Sequence, residues 1–155
     1  MKHKLNDPKS AYEYFAAKLA FTTGPSELKH YLEQNEKLCL IDLRKKEDYA
    51  KGHIPGAVNL PEEDWKSLKG LSKDSNNILY CYNETCHLAA RAASHFAESG
   101  YPVTELQGGF KAWKDYDYAI EGNAGGLHGG SHGGSHVGSG NYGSSGNEKD
   151  YKKSA

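Results

Sequence analysis

The chain has 155 residues, a formal net charge of −1 and a hydrophobic fraction of 37%. That length is the length of one domain, and a near-neutral chain has no bulk field to draw nucleic acid or an anionic membrane surface. No apolar run reaches the length needed to span a bilayer.

The hydrophobic fraction lies below the roughly 45–50% usual for globular domains. The deficit is local, because Gly and Ser crowd into the last part of the chain. The opening "MKHKLNDPKS" is basic, but no apolar stretch follows it, so a secretory signal is not expected. Cys39, Cys81 and Cys86 cannot all pair within one chain. A reducing compartment, the cytoplasm, and free thiols are therefore the expectation.

Asp7-Pro8 opens the first predicted helix, an N-cap residue followed by proline at the first helical position. Tyr12, Phe15, Ala16, Leu19 and Ala20 then recur at helical spacing. Phe21-Thr22-Thr23 reads as a short edge strand or a loop. "TGPSELKHYLEQN" restarts a helix with Leu28, Tyr31 and Leu32 on one face. "KLCLIDLR" is a continuous apolar run, the pattern of a strand buried on both faces. "KEDYAKG" is a short helix stopped at Gly52, and "AVNL" is a brief strand after the turn chemistry of "HIPG". "PEEDWKSL" has proline and acids where a helix start prefers them. "NNILYC" is a second buried strand, and His87–Ser99 is the clearest helix, with Gly100 at the C′ position. "YPVTEL" is a third strand, "GG" a tight turn and "FKAWKDY" a last helix. Strands alternating with helices predict a parallel sheet covered on both sides. Its sites would lie beyond the carboxyl ends of the strands, where Cys81, Asp42 and Arg44 fall.

The stretch from Cys81 to His87 carries the chemistry. A thiol is a good nucleophile only as thiolate, and its ordinary pKa near 8.5 must be lowered. A loop between a strand end and a helix start can do this with inward backbone N–H groups and the helix dipole. Cys81 begins such a loop and Cys86 stands beside the helix start. Both are candidates, and the loop wraps more easily around the residue at its start. Cys39, inside a strand, reads as packing.

"LIDLRKKEDYAKGHIPGAVNLP", "ILYCYNETCHLAARAA" and "GYPVTELQGGFKAW" resemble, in order, the motifs of the rhodanese family of single-domain sulfurtransferases. The resemblance spans about Phe21 to Trp113. It implies an α/β, rhodanese-like fold with a central parallel five-stranded sheet and helices on both faces. With that rhodanese-like domain over 21–119, the helical pattern before it reads as an N-terminal extension over 1–20, and the Gly/Ser/His-rich composition after it, with too little apolar content to offset ordering entropy, as a flexible tail over 120–155. The resemblance implies that Cys81 takes up sulfane sulfur as a persulfide, dividing one transfer into two easier ones. The active-site loop would be Tyr82, Asn83, Glu84, Thr85, Cys86 and His87, with Asp42 and Arg44 in support. The partners implied are a small-molecule sulfur donor and a thiol or cyanide-like acceptor, with a partner protein as a further candidate. No cofactor, metal, nucleic acid or membrane is implied.

Two departures bear on this expectation. Family loops often carry Arg or Lys, but "YNETCH" has neither and includes Glu84. Cys86 lies where a resolving thiol could turn a persulfide or sulfenate on Cys81 into a disulfide. Phosphatase chemistry would need Cys-x5-Arg, and His87 occupies that arginine's place. A non-catalytic interaction or redox-sensing module is the alternative to an enzyme. In the tail, His128, His132 and His136 are evenly spaced. They could hold zinc, nickel or copper, but they have no fixed thiolate or carboxylate nearby, and no metal is assigned. His53, in "GHIPGA", reads as turn and packing.

Overall fold

The computed structural model describes residues 5–123. The tail histidines 128, 132 and 136 lie outside them. Helix α1 is Pro8–Phe21, followed by strand β1, Thr22–Thr23, and helix α2, Pro25–Glu33. Strand β2 is Leu38–Asp42, helix α3 Lys46–Lys51 and strand β3 Val58–Asn59. A 3-10 helix covers Glu62–Ser67 and ends in a left-handed Leu68. Strand β4 is Asn76–Tyr80, helix α4 Leu88–Glu98, strand β5 Val103–Leu106 and helix α5 Gly109–Asp115.

The five strands form one sheet in the order β1-β5-β4-β2-β3, and every pairing is parallel. The expected fold class is therefore the observed one, with β4 in the middle. Phe21 closes α1, so only the two threonines form the edge strand, paired with Glu105 and Leu106.

The apolar runs of β2 and β4 have a two-sided explanation. Successive strand side chains point to opposite faces. Leu40, Ile78 and Tyr80 join one core with Leu28 of α2 and Phe110 and Trp113 of α5. Ile41, Leu79 and Cys81 join the other with Ala89, Ala92 and Phe96 of α4. Large apolar side chains that are fully buried in these cores, such as Leu28, Ile41 and Phe96, contribute roughly 1.5–3 kcal/mol each. Cys39 packs at the edge of the second core as a free thiol.

Helix α1 starts where the sequence indicates: the Asp7 carboxylate accepts from Ser10 N–H at 2.9 Å. Its apolar stripe does not reach a core. Tyr12 is 75% and Leu19 82% exposed, and the helix buries no residue.

Candidate active site

Cys81 directly follows the middle strand, and its side chain turns toward α4, where it is 1% exposed. Residues 81–87 then run into α4, whose N-cap His87 makes no side-chain cap hydrogen bond. The first-turn N–H groups of α4 are thus left without that partner at the thiol loop. Asn83 organises the loop from within: its Oδ1 accepts from Thr85 N–H at 3.1 Å and Thr85 O–H at 2.9 Å. Its carbonyl accepts from Cys86 N–H at 3.2 Å.

Cys81 and Cys86 are joined as a disulfide, with Cα atoms 6.6 Å apart. The expectation of free thiols is met at Cys39 and not at this pair. Its basis was redox compartment and an odd cysteine count. The local reason for the difference is a loop whose turn at Asn83–Cys86 brings its two ends together. Cys86 is half-buried, while Asn83, Glu84, Thr85 and His87 are exposed.

The glycine pair before α5 holds the loop from the other side. Gly108 and Gly109 both have positive φ, +74° and +58°, where L side chains are strained. A Cβ on Gly109 would lie 2.6 Å from the Cys81 carbonyl oxygen. That close approach lets Phe110 N–H donate to Cys81 C=O and Lys111 N–H to Tyr82 C=O, both at 2.9 Å. In the sequence, "GG" announces a turn but not which segment it must approach.

Asp42 and Arg44 form a buried pair beneath the loop. The Asp42 carboxylate accepts from Arg44 N–H at 2.9 Å, from Nη2 at 2.7 Å and from Tyr80 O–H at 2.7 Å. Arg44 Nη2 also donates to Gly52 C=O at 2.6 Å, and its guanidinium stacks 3.9 Å above the Phe110 ring. Burial pulls the Arg44 pKa down, but the hydrogen bonds and charge of Asp42 outweigh it, and the net shift is upward. Burial foremost, with Asp42 adding to it, pushes the Tyr80 hydroxyl far above its ordinary value. The pair thus reaches Cys81 indirectly, through Phe110.

Tyr82 leaves the loop toward α3. Its hydroxyl donates to Asp48 at 2.7 Å and accepts from Lys45 N–H at 3.3 Å. The Tyr82 hydrogen bond holds the Asp48 carboxyl below its usual range, with nearby cations adding to it. His53 stacks on Tyr49 at 3.8 Å and exchanges backbone hydrogen bonds with Glu121.

Two of the clefts that border the loop differ in the charge of their lining. One, of about 400 Å³, is lined by Arg44, Lys51, Tyr82, Phe110, Lys111 and Lys114 among others. The other, of about 570 Å³, carries Glu84, Glu105 and Lys18. Burial raises the Glu105 carboxyl above its ordinary value. Asn83 lines both, and neither cysteine lines either. Lys51 of α3 and Lys111 and Lys114 of α5 thus stand beside a loop that lacks cations, with Lys111 paired to Asp115 at 2.6 Å and Lys51 3.8 Å from Asp48, which lines the same cleft. Lys51, Lys111 and Lys114 have no mark in the sequence beyond flanking "AKG" and "FKAWK". Among the described residues no group of three or more His, Cys, Asp or Glu side chains could hold a metal ion. No helix there is long and apolar enough to cross a membrane.

A family model described as "Rhodanese-like domain" matches residues 24–116. Over 79 residues the chain is 33% identical to the HTH-type transcriptional regulator Rv0324 of Mycobacterium tuberculosis. That match covers 50% of this chain and only 35% of the regulator, so the chain spans about a third of that relative's length. It is 27% identical to the thiosulfate sulfurtransferase GlpE of Pseudomonas putida, over 61% of this chain and 86% of that one. In structure it resembles the BH2092 protein of Bacillus halodurans, with a TM-score of 0.70 and 32% identity. That similarity covers 77% of this chain and 90% of the other.

Proposed function

The chain belongs to the rhodanese-like domain family, and from that premise we propose that it is a sulfurtransferase whose Cys81 carries sulfane sulfur as a persulfide. The observation that supports this most is the position of Cys81. It follows the middle strand of a parallel sheet directly, at the start of a loop that enters a helix without a side-chain cap. Sites of open parallel sheets form at such strand ends.

In the reduced protein the Cys81 thiolate attacks the outer sulfur of a donor. With thiosulfate, the bond between the two donor sulfurs breaks and sulfite leaves with its electron pair. Cys81 retains one added sulfur, which a thiol or cyanide-like acceptor, or a thiol on a partner protein, then removes. Loop and first-turn N–H groups oppose the negative charge on donor and persulfide. Lys51, Lys111 and Lys114 draw an anionic donor to the basic side of the loop, and Glu84 and Glu105 disfavour the other side. Tyr82, Asn83, Thr85 and His87 shape the loop, and the Asp42–Arg44 pair holds Phe110 under Cys81. The cytoplasm suits this chemistry because Cys81 loads sulfur only as a free thiolate, with the Cys81–Cys86 bond reduced. The alternative, a redox-sensing or interaction module, is favoured by one observation: Cys81 is buried in a disulfide.

The test is turnover with a dithiol present. Reduced protein should form thiocyanate from thiosulfate and cyanide, and Cys81→Ser should not. Equal rates in Cys81→Ser and wild type would reject the enzyme reading, and reduced protein whose Cys81 resists alkylation would favour the module.

A further inference from the structure

The disulfide joins the proposed sulfur carrier to the only other cysteine of its loop. The contacts that hold that loop are made with the bond closed: Phe110 N–H donates to Cys81 C=O and Lys111 N–H to Tyr82 C=O. Both hydrophobic cores are intact around it, with Cys81, Ala89 and Phe96 together in one of them. Cys86 therefore reaches the Cys81 Sγ within the folded domain, with no opening of the sheet or of α5.

We infer that Cys86 resolves the Cys81 persulfide by displacing its outer sulfur, so that the protein releases hydrogen sulfide and ends in the Cys81–Cys86 disulfide. This inference rests on the sulfurtransferase reading. The step balances without an oxidant. The Cys86 sulfur, as thiolate, attacks Cys81 Sγ, and the bond from Sγ to the outer sulfur breaks. The outer sulfur leaves with the electron pair as sulfide and takes the proton given up by Cys86. Two thiol sulfurs are oxidised by two electrons in total, and one sulfane sulfur is reduced by two.

The exposure of the two residues decides which sulfur a reductant reaches. Cys81 is buried and Cys86 is half-exposed. Attack on a disulfide depends on which sulfur is accessible. A small dithiol reductant therefore attacks Cys86, and Cys81 leaves as thiolate into the loop that suits it. A second attack within the reductant frees Cys86. The closed ring is short, so on chain entropy the bond adds only a minor part of the domain's stability, and the pair opens and closes with the domain folded. Cys86 thus separates two outcomes: transfer of sulfur to an acceptor, or its discharge as sulfide when no acceptor is bound.

The experiment uses the full chain, reduced, freed of reductant and kept anaerobic. Wild type and Cys86→Ser are exposed separately to thiosulfate and to glutathione persulfide, with no acceptor. Sulfide is measured by trapping, and the loop peptide by mass. Wild type should release about one equivalent of sulfide per chain, above the variant's background, and acquire the Cys81–Cys86 disulfide. Cys86→Ser should hold one added sulfur on Cys81. If wild type keeps the added sulfur as stably as the variant and releases no excess sulfide, the inference is overturned while the sulfurtransferase reading stands. If Cys86→Ser takes up sulfur from neither donor, the sulfurtransferase reading fails and the inference falls with it.

Discussion

At the residue scale, the buried charges matter most. Asp42 is fully buried, and its carboxylate meets Arg44 and Tyr80 at once. Arg44 passes that order to Phe110 by stacking at 3.9 Å. Replacing Asp42 by Asn keeps the shape and leaves a buried guanidinium without its counter-charge. Breaking one side of a buried pair costs about 3–5 kcal/mol. Urea unfolding of Asp42→Asn should show a loss of that size, and a loss below about 1 kcal/mol would mean the pair is not the anchor described. The sequence displayed both residues at the end of an apolar strand. It could not display Tyr80 as their third partner, because that contact comes from the register in which Asp42 lies opposite Tyr80.

At the element scale, the approach of α5 to the thiol loop controls the position of Cys81, the proposed nucleophile. Gly109 makes it possible, since any Cβ there would strike the Cys81 carbonyl. Gly56 is a built-in control: its φ is also positive, at +81°, but an added Cβ would meet nothing within 4 Å. Alanine at either position bears a left-handed backbone cost of about 1–2 kcal/mol. Only Gly109→Ala also pushes the loop, and a misplacement near 1 Å can slow a reaction about a hundredfold. Sulfur-transfer rates on folded protein should therefore collapse in Gly109→Ala and hold in Gly56→Ala. Equal rates in the two variants would show that α5 does not position the thiol. The elements themselves were mostly legible, because apolar runs in β2 and β4 and the caps of α1 and α4 are local signals. The exposed stripe of α1 was not legible, since helical spacing says that residues share a face and not what that face meets.

At the scale of the whole molecule, the parallel sheet brings strand ends, the α4 start and the α5 glycines to one edge, with basic and acidic clefts on either side of the loop. The motif order in the sequence pointed to a parallel five-stranded sheet with helices on both faces, and the structure adds the strand order, with β4 in the middle. Lys51, Lys111 and Lys114 could not be singled out beforehand, because surface lysines carry no pattern until the fold gathers them. The sequence offered the Cys81–Cys86 disulfide as the product of a resolving step but not as the pairing observed, because cysteine counting treats pairing as a matter of compartment, whereas a short loop returning on itself makes it local. The proposed mechanism turns on Cys81, not Cys86, receiving the sulfur. Peptide mass mapping of reduced Cys86→Ser and Cys81→Ser after exposure to a sulfane donor decides between them. One added sulfur atom is expected on Cys81 in the first variant and none on Cys86 in the second. Sulfur on Cys86 with Cys81 replaced, or an unmodified and fully reduced Cys81 in Cys86→Ser with every donor, would contradict this assignment.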